Sequence, residues 1–191
     1  MSEQVKVAIA YHSGFGHTEV LAQAAAAGVE NAGATAITIS VADLDTIDWN
    51  ALAEADAIIF GSPTYMGSVS GPFKSFMDAT SKIWYQQEWK DKLAAGFTNS
   101  SSQSGDKLNS LVQMAVYAAQ QGMVWVSLGM LPGNNNSQGS TDDLNRLGSF
   151  IGAMAQSNGD EGPELTPPQA DRDTVQALGE RVAAAARRWK Q

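Results

Sequence analysis

The chemistry-bearing residues of this 191-residue chain gather in a few loops rather than along its helices. The first loop is Ser13-Gly-Phe-Gly-His-Thr18, set between an apolar run and a helical pattern. Glycines let the backbone turn tightly, and a helix start offers unpaired N–H donors with a partial positive charge. Together with the hydroxyls of Ser13 and Thr18, these groups can cradle a phosphate without Lys or Arg. The dinucleotide fingerprint G-x-G-x-x-G needs glycine where Glu19 stands, and the nucleoside-triphosphate loop needs a Gly-Lys pair that the sequence lacks. A hydroxyl-rich S-x-x-G-x-T loop suits a terminal monophosphate such as that of FMN. The competing reading is structural: Ser13 or Thr18 simply caps the helix after a glycine turn.

The second loop is Gly61-Ser-Pro-Thr-Tyr-Met-Gly-Ser-Val-Ser-Gly71. Pro63 stiffens its exit, and Thr64, Tyr65 and Met66 offer a polar rim beside apolar and aromatic surface, as a flat isoalloxazine requires. The plain alternative is a long crossover turn with Tyr65 and Met66 as fillers. Other constellations carry less. Asp142-Asp143 reads as the start of a helix rather than a metal or acid pair. Asp43, Asp45 and Asp48 lack the glycine and glutamate of a helix–loop–helix calcium site. No Ser/His/Asp triad assembles from His12 and His17, and no metal site is expected. Trp84, Tyr85 and Trp89 cluster past the third helix, either walling a flat pocket or meeting another subunit.

The elements that must position these loops alternate. Val5–Tyr11, Ala34–Val41, Ala57–Gly61, Leu93–Thr98 and Met123–Leu128 read as strands, the third being the short apolar run of a sheet buried on both faces. Helical patterns cover Thr18–Ala32, Leu44–Ala55 in part, Gly71–Lys82 with Pro72 in its first turn, Lys107–Gln121 and Asp171–Lys190. A further inserted helix is expected over Asp142–Ala155, and proline-rich Ser157–Gln169 reads as a surface tether. Alternation of this kind predicts a single α/β domain: a five-stranded parallel sheet, doubly wound with helices on both faces. Residues 130–169 form an elaborated segment before the last helix. Ligands of such sheets sit beyond the carboxyl ends of the strands.

Composition narrows the class. Twelve Lys+Arg against 20 Asp+Glu give a net charge of −8, which disfavours nucleic acid and anionic membranes as partners. Hydrophobic residues at 43% with 17% charged indicate a globular chain. Cysteine is absent, which removes disulfides, thiolate nucleophiles and cysteine metal sites. No apolar run is long enough to cross a bilayer, and Met1–Lys6 lacks the pattern of a secretory leader. A soluble, cytoplasmic protein is expected.

The strings Tyr11-His-Ser-Gly-Phe-Gly-His-Thr-Glu19 and Ala57-Ile-Ile-Phe-Gly-Ser-Pro-Thr-Tyr-Met-Gly-Ser-Val-Ser-Gly71, continuing through Phe73-Lys-Ser-Phe-Met-Asp78, resemble the flavodoxin-like NAD(P)H:quinone oxidoreductases of the WrbA type. Lys92-Leu-Ala-Ala-Gly-Phe-Thr-Asn99 and Gly122-Met-Val-Trp-Val-Ser-Leu-Gly129 fall at matching places, so the resemblance covers about residues 5–129. It implies the flavodoxin-like strand order 2-1-3-4-5 and FMN as cofactor. NADPH or NADH would be the donor, and a quinone or similar flat aromatic the acceptor, reached by two-electron ping-pong hydride transfer through flavin N5. It also implies a homodimer or homotetramer. A flavodoxin-type electron carrier without its own small-molecule substrate is the alternative. A phosphoacceptor receiver domain is set aside, because Gly61-Ser-Pro stands where its aspartate would be.

On that resemblance the FMN phosphate falls to Ser13, Phe15, Gly16, His17 and Thr18. The isoalloxazine falls to Pro63, Thr64, Tyr65, Met66 and Gly67. The ribityl chain and ring fall to Asn99, Ser100, Ser101, Ser102, Gln103 and Ser104, a loop that is Gly- and Thr-rich in the family. Phe15 also matches an aromatic associated with the nicotinamide, and Trp84 a wall of the substrate pocket. Gln120 stands where the family has a histidine near the ring; a neutral amide would stabilise an anionic reduced flavin less than an imidazolium would. The connection from the second to the third strand is shorter than the family's, which bears on the oligomeric state.

Overall fold

In the computed structural model, which describes residues 4–190, one sheet organises the chain. The opening residues 1–3, where no secretory leader is expected, lie outside the described residues. Strand β1 (Lys6–Tyr11) pairs in parallel with β2 (Thr35–Ser40) on one side and β3 (Ala57–Tyr65) on the other. β3 pairs with β5 (Leu93–Ser100), and β5 with β6 (Val124–Trp125), giving the order β2-β1-β3-β5-β6. These are the five predicted strands in the predicted order.

Strand periodicity sends alternate side chains to two cores. Val7, Ile9 and Ile59 face α1 (His17–Asn31) and α6 (Gln169–Trp189). Ala8, Ala10, Ile58 and Phe60 face α2 (Trp49–Glu54), α3 (Gly71–Ala79) and α5 (Lys107–Gln120). Helices on both faces explain why the central strands are nearly all apolar. α1 and α6 meet at glycines: a Cβ on Gly28 would land on the Gln176 carbonyl, and one on Gly179 on the Ala25 carbonyl.

Several predicted elements differ. β3 runs nine residues, to Tyr65, because the second loop begins as strand and folds back through β4 (Ser68–Val69), antiparallel to it. The third helix stops at Ala79, and Ser81–Gln86 forms a separate α4. Leu44–Ala55 divides into a 3-10 turn at Leu44–Thr46 and α2, with the carboxylates of Asp43 and Asp48 each accepting a backbone N–H. The fifth strand is two residues long and is completed by β7 (Ala153–Gln156), which lies parallel to the carboxyl half of β5.

No helix forms over Asp142–Ala155, and Asp143 is not its start. Asn145 and Gly148 take left-handed backbone, the Asn145 amide ties the N–H and carbonyl of Ser149, and Asp143 accepts from the N–H groups of Asn134 and Ser140. These contacts fold residues 126–152 into an excursion that returns the chain to the sheet as β7.

The α1–α6 contact gives a stability test. Gly179→Ala should cost about 1–3 kcal/mol through overpacking, lowering Tm by several degrees; an unchanged Tm in thermal unfolding would contradict the backbone-to-backbone contact.

Candidate functional site

Beyond the carboxyl ends of β1, β3 and β5 lies a cleft of about 780 Å³. Ser13, Phe15, His17 and Thr18 line it from the first loop, Pro63 to Gly67 from the second, and Asn99 to Ser102 with Gly105 from the third. Three sequence-distant loops therefore converge on one space. Gly16, the left-handed N-cap of α1, belongs to the first loop but is not in the lining, and Gln103 and Ser104 continue the third loop outside it.

The first loop decides between phosphate cradle and plain cap. No side chain caps α1, the Ser13 hydroxyl is buried without a partner, and Thr18 is buried. Helix-start N–H donors and two hydroxyls thus remain for a ligand. No Lys or Arg lines the cleft among the described residues, whereas Asp160 and Glu161 do.

Behind the lining, polar side chains tie the loops together. His12 Nδ1 lies 2.8 Å from Ser70 Oγ, and Ser70 Oγ lies 3.2 Å from Ser62 Oγ, which donates to the Pro63 carbonyl. Burial lowers the His12 pKa, keeping the imidazole neutral at pH 7. Thr64 Oγ1 stands 2.8 Å from both Thr98 Oγ1 and Ser110 Oγ, and the Asn99 side chain accepts from Ser157 at 3.0 Å. At the mouth, Phe15 and Tyr65 meet edge to face with ring centres 6.4 Å apart. The Gly14 N–H donates to the Tyr65 hydroxyl, whose pKa burial nonetheless raises. Met66 is fully exposed at the rim, in left-handed backbone.

Residues 157–168 are not a surface tether. Ser157 N–H bonds the Ser100 carbonyl, His17 Nε2 lies 2.9 Å from the Glu161 carbonyl, and Arg172 donates to the carbonyls of Pro163 and Pro167. Ser157 and Gly159 to Gly162 thereby form a fourth wall.

Trp84 and Gln120 are elsewhere. They line a second cavity of about 520 Å³ between α3, α4 and α5, with Met77, Thr80 and Tyr117. Sequence reasoning missed Lys107, which is buried under the third loop and donates to Ser100 Oγ and the carbonyls of Ser102 and Gln103 at 2.7–2.9 Å. The one signal was its place as first residue of a helix, where the macrodipole disfavours a cation.

Comparison with known proteins fits this geometry. Residues 9–137 match the NADPH-dependent FMN reductase family, a span that carries all three loops. The chain belongs to this family. Family membership makes it an enzyme whose flavin is FMN and whose donor is reduced nicotinamide. It is 45% identical to flavodoxin FldP of Pseudomonas aeruginosa, over 93% of this chain and 95% of that one. It is 31% identical to an NAD(P)H dehydrogenase (quinone) of Geotalea uraniireducens, over 96% and 98%. A crystal structure of the WrbA-like flavodoxin of Agrobacterium tumefaciens is 39% identical, covers 97% of this chain and 99% of its own, and superposes with a TM-score of 0.76.

The residues present fit FMN. The unpartnered Ser13 hydroxyl and uncapped α1 suit its phosphate, and the Phe15–Tyr65 mouth suits a flat ring. Thr18→Val should weaken FMN binding about tenfold or more, because a hydrogen bond to a charged group contributes about 1.5–3 kcal/mol. The apoprotein Tm should stay nearly unchanged. Fluorescence titration with FMN checks this, and an unaltered affinity would remove Thr18 from the phosphate site.

Proposed function

We propose that the protein is an FMN-dependent NAD(P)H:quinone oxidoreductase acting as a homodimer or homotetramer in the cytoplasm, where reduced nicotinamide is supplied. The observation that carries this reading is the three-loop cleft with an open aromatic mouth. Relatives named NAD(P)H dehydrogenase (quinone) across nearly the whole chain support it.

When bound, FMN supplies the redox chemistry, taking two electrons from reduced nicotinamide and passing them to the acceptor. The chain's own residues bind and orient. Ser13, Gly16, His17, Thr18 and the α1 N–H donors hold the phosphate end. Pro63, Thr64, Tyr65, Met66 and Gly67 border the ring, and Asn99 to Ser104 border the ribityl side. Phe15 and Tyr65 frame a mouth that nicotinamide and a flat acceptor occupy in turn. A buried general acid is not required of the protein for this exchange.

Trp84 and Gln120 enter the site only across a subunit border. Leu108, Val112 and Val116 recur every four residues as an exposed apolar stripe on α5. The stripe starts beside the cleft rim, where the Asn109 side chain donates to the Gly67 carbonyl at 2.6 Å and Ser68 donates to Gln113 at 3.0 Å. It then runs to the cavity holding Trp84. A second copy covering this stripe brings that cavity toward a cleft.

Flavodoxin FldP supports a second reading, an electron carrier fed by another protein. Anaerobic titration separates the two. With FMN bound, NADH or NADPH should bleach the flavin absorbance and benzoquinone should restore it, in a species that sediments as a dimer or larger. Flavin that dithionite bleaches but neither nicotinamide does would establish the carrier instead.

A further inference from the structure

Lys107 is a cation sealed completely from solvent by its own chain. Its ammonium hydrogen-bonds Ser100 Oγ at 2.9 Å and the carbonyls of Ser102 and Gln103 at 2.7 Å, so it touches two residues that line the cleft. The next layer continues the pattern. The Gln156 amide donates to the Ser101 carbonyl, and the Gln156 N–H donates to Asp171, which Arg146 grips with two hydrogen bonds. Carbonyls of Ser101, Ser102 and Gln103 are thus all held from beneath.

A peptide plane points its C=O and N–H in opposite directions. Capture of the carbonyls of residues 102 and 103 therefore fixes the N–H groups of Gln103 and Ser104 on the side of the loop away from the ammonium. A neutral side chain of the same length would fill this space without the desolvation cost of a buried charge. Burial lowers the Lys107 pKa to about 8, with Asp171 supporting the charge and Arg146 opposing it, so the group is protonated at pH 7. Its field acts on a cleft whose lining carries the acids Asp160 and Glu161.

We propose that Lys107 is a positioning residue for FMN: it sets the conformation of the third loop, and its charge, one layer under the cleft, favours the electron-rich reduced flavin. This rests on FMN occupying the three-loop cleft. The lysine thereby does from below what no Lys or Arg among the described lining residues does from within, raising the potential of the flavin without contacting it.

The test compares wild type, Lys107→Met and Lys107→Gln by FMN affinity, apoprotein Tm and the reduction potential of the FMN-bound protein measured against a reference dye. Lys107→Met should bind FMN tenfold or more weakly and shift the potential negative, by about 30 mV for each tenfold preference for reduced flavin that is lost. Lys107→Gln, which can still donate to one carbonyl but carries no charge, should recover much of the affinity while keeping the lower potential. An unchanged potential in Lys107→Gln overturns the proposal. So does a lower Tm in Lys107→Met with unchanged potential in the FMN-bound fraction, which would make the lysine merely structural. If Lys107→Met does not fold, Lys107→Gln carries the test alone. Wild-type titration with FMN comes first: failure to bind overturns the cofactor reading and this proposal with it, whereas binding with insensitive variants overturns the proposal alone.

Discussion

Hydrogen bonding from behind the carboxyl edge of the sheet is the constraint on which the site depends. A parallel sheet buried on both faces ends its strands in loops whose polar groups would otherwise face an apolar core, and each such group must find a partner. Here the partners are small hydroxyls and amides. His12, Ser70 and Ser62 link the end of β1 to the base of the second loop. Thr64, Thr98 and Ser110 link that loop to β5 and α5, and Ser157 links β7 to Asn99. With the rear surfaces satisfied in this way, the N–H donors at the start of α1 have no side-chain cap and the hydroxyl of Ser13 has no partner.

Charge is arranged by the same logic. The chain is strongly acidic, and among the described residues the cleft lining carries carboxylates but no Lys or Arg. On the proposed reading, a phosphate dianion would be held there by dipoles and hydroxyls, as a helix start permits. The cations stand one layer back: Lys107 beneath the third loop, and Arg146 paired to Asp171 where β7 meets α6. Buried pairs of this kind contribute little net stability but fix geometry. Here the Arg146–Asp171 pair meets the Gln156 N–H, and Lys107 bonds Ser100, Ser102 and Gln103 where the chain leaves β5.

The sheet was legible because its central strands are buried on both faces, so Val5–Tyr11 and Ala57–Gly61 stand out as short apolar runs. The first two loops were legible because glycine, proline and hydroxyls cluster where the strand runs end. Sequence pattern failed where tertiary contacts override local signals. Met123–Leu128 looks like one strand, yet only Val124 and Trp125 pair with β5; the rest of that edge is taken by Ala153–Gln156, hidden in a helical periodicity that Asn145, Gly148 and Gly152 interrupt. The wall at residues 157–168 was missed because prolines and acids read as solvated chain, although Ser157 and Thr166 are buried. Lys107 was missed because lysine in a first helical turn ordinarily lies in solvent.

On the proposed reading the cleft holds a terminal phosphate without cationic side chains. Isothermal titration of the apoprotein with FMN and with riboflavin, which differs from it by that phosphate alone, tests this most directly. FMN should bind about 100-fold or more tightly than riboflavin, since two or more hydrogen bonds to a charged group are at stake. Equal affinity for the two flavins would contradict the phosphate cradle, and with it the role assigned to the first loop.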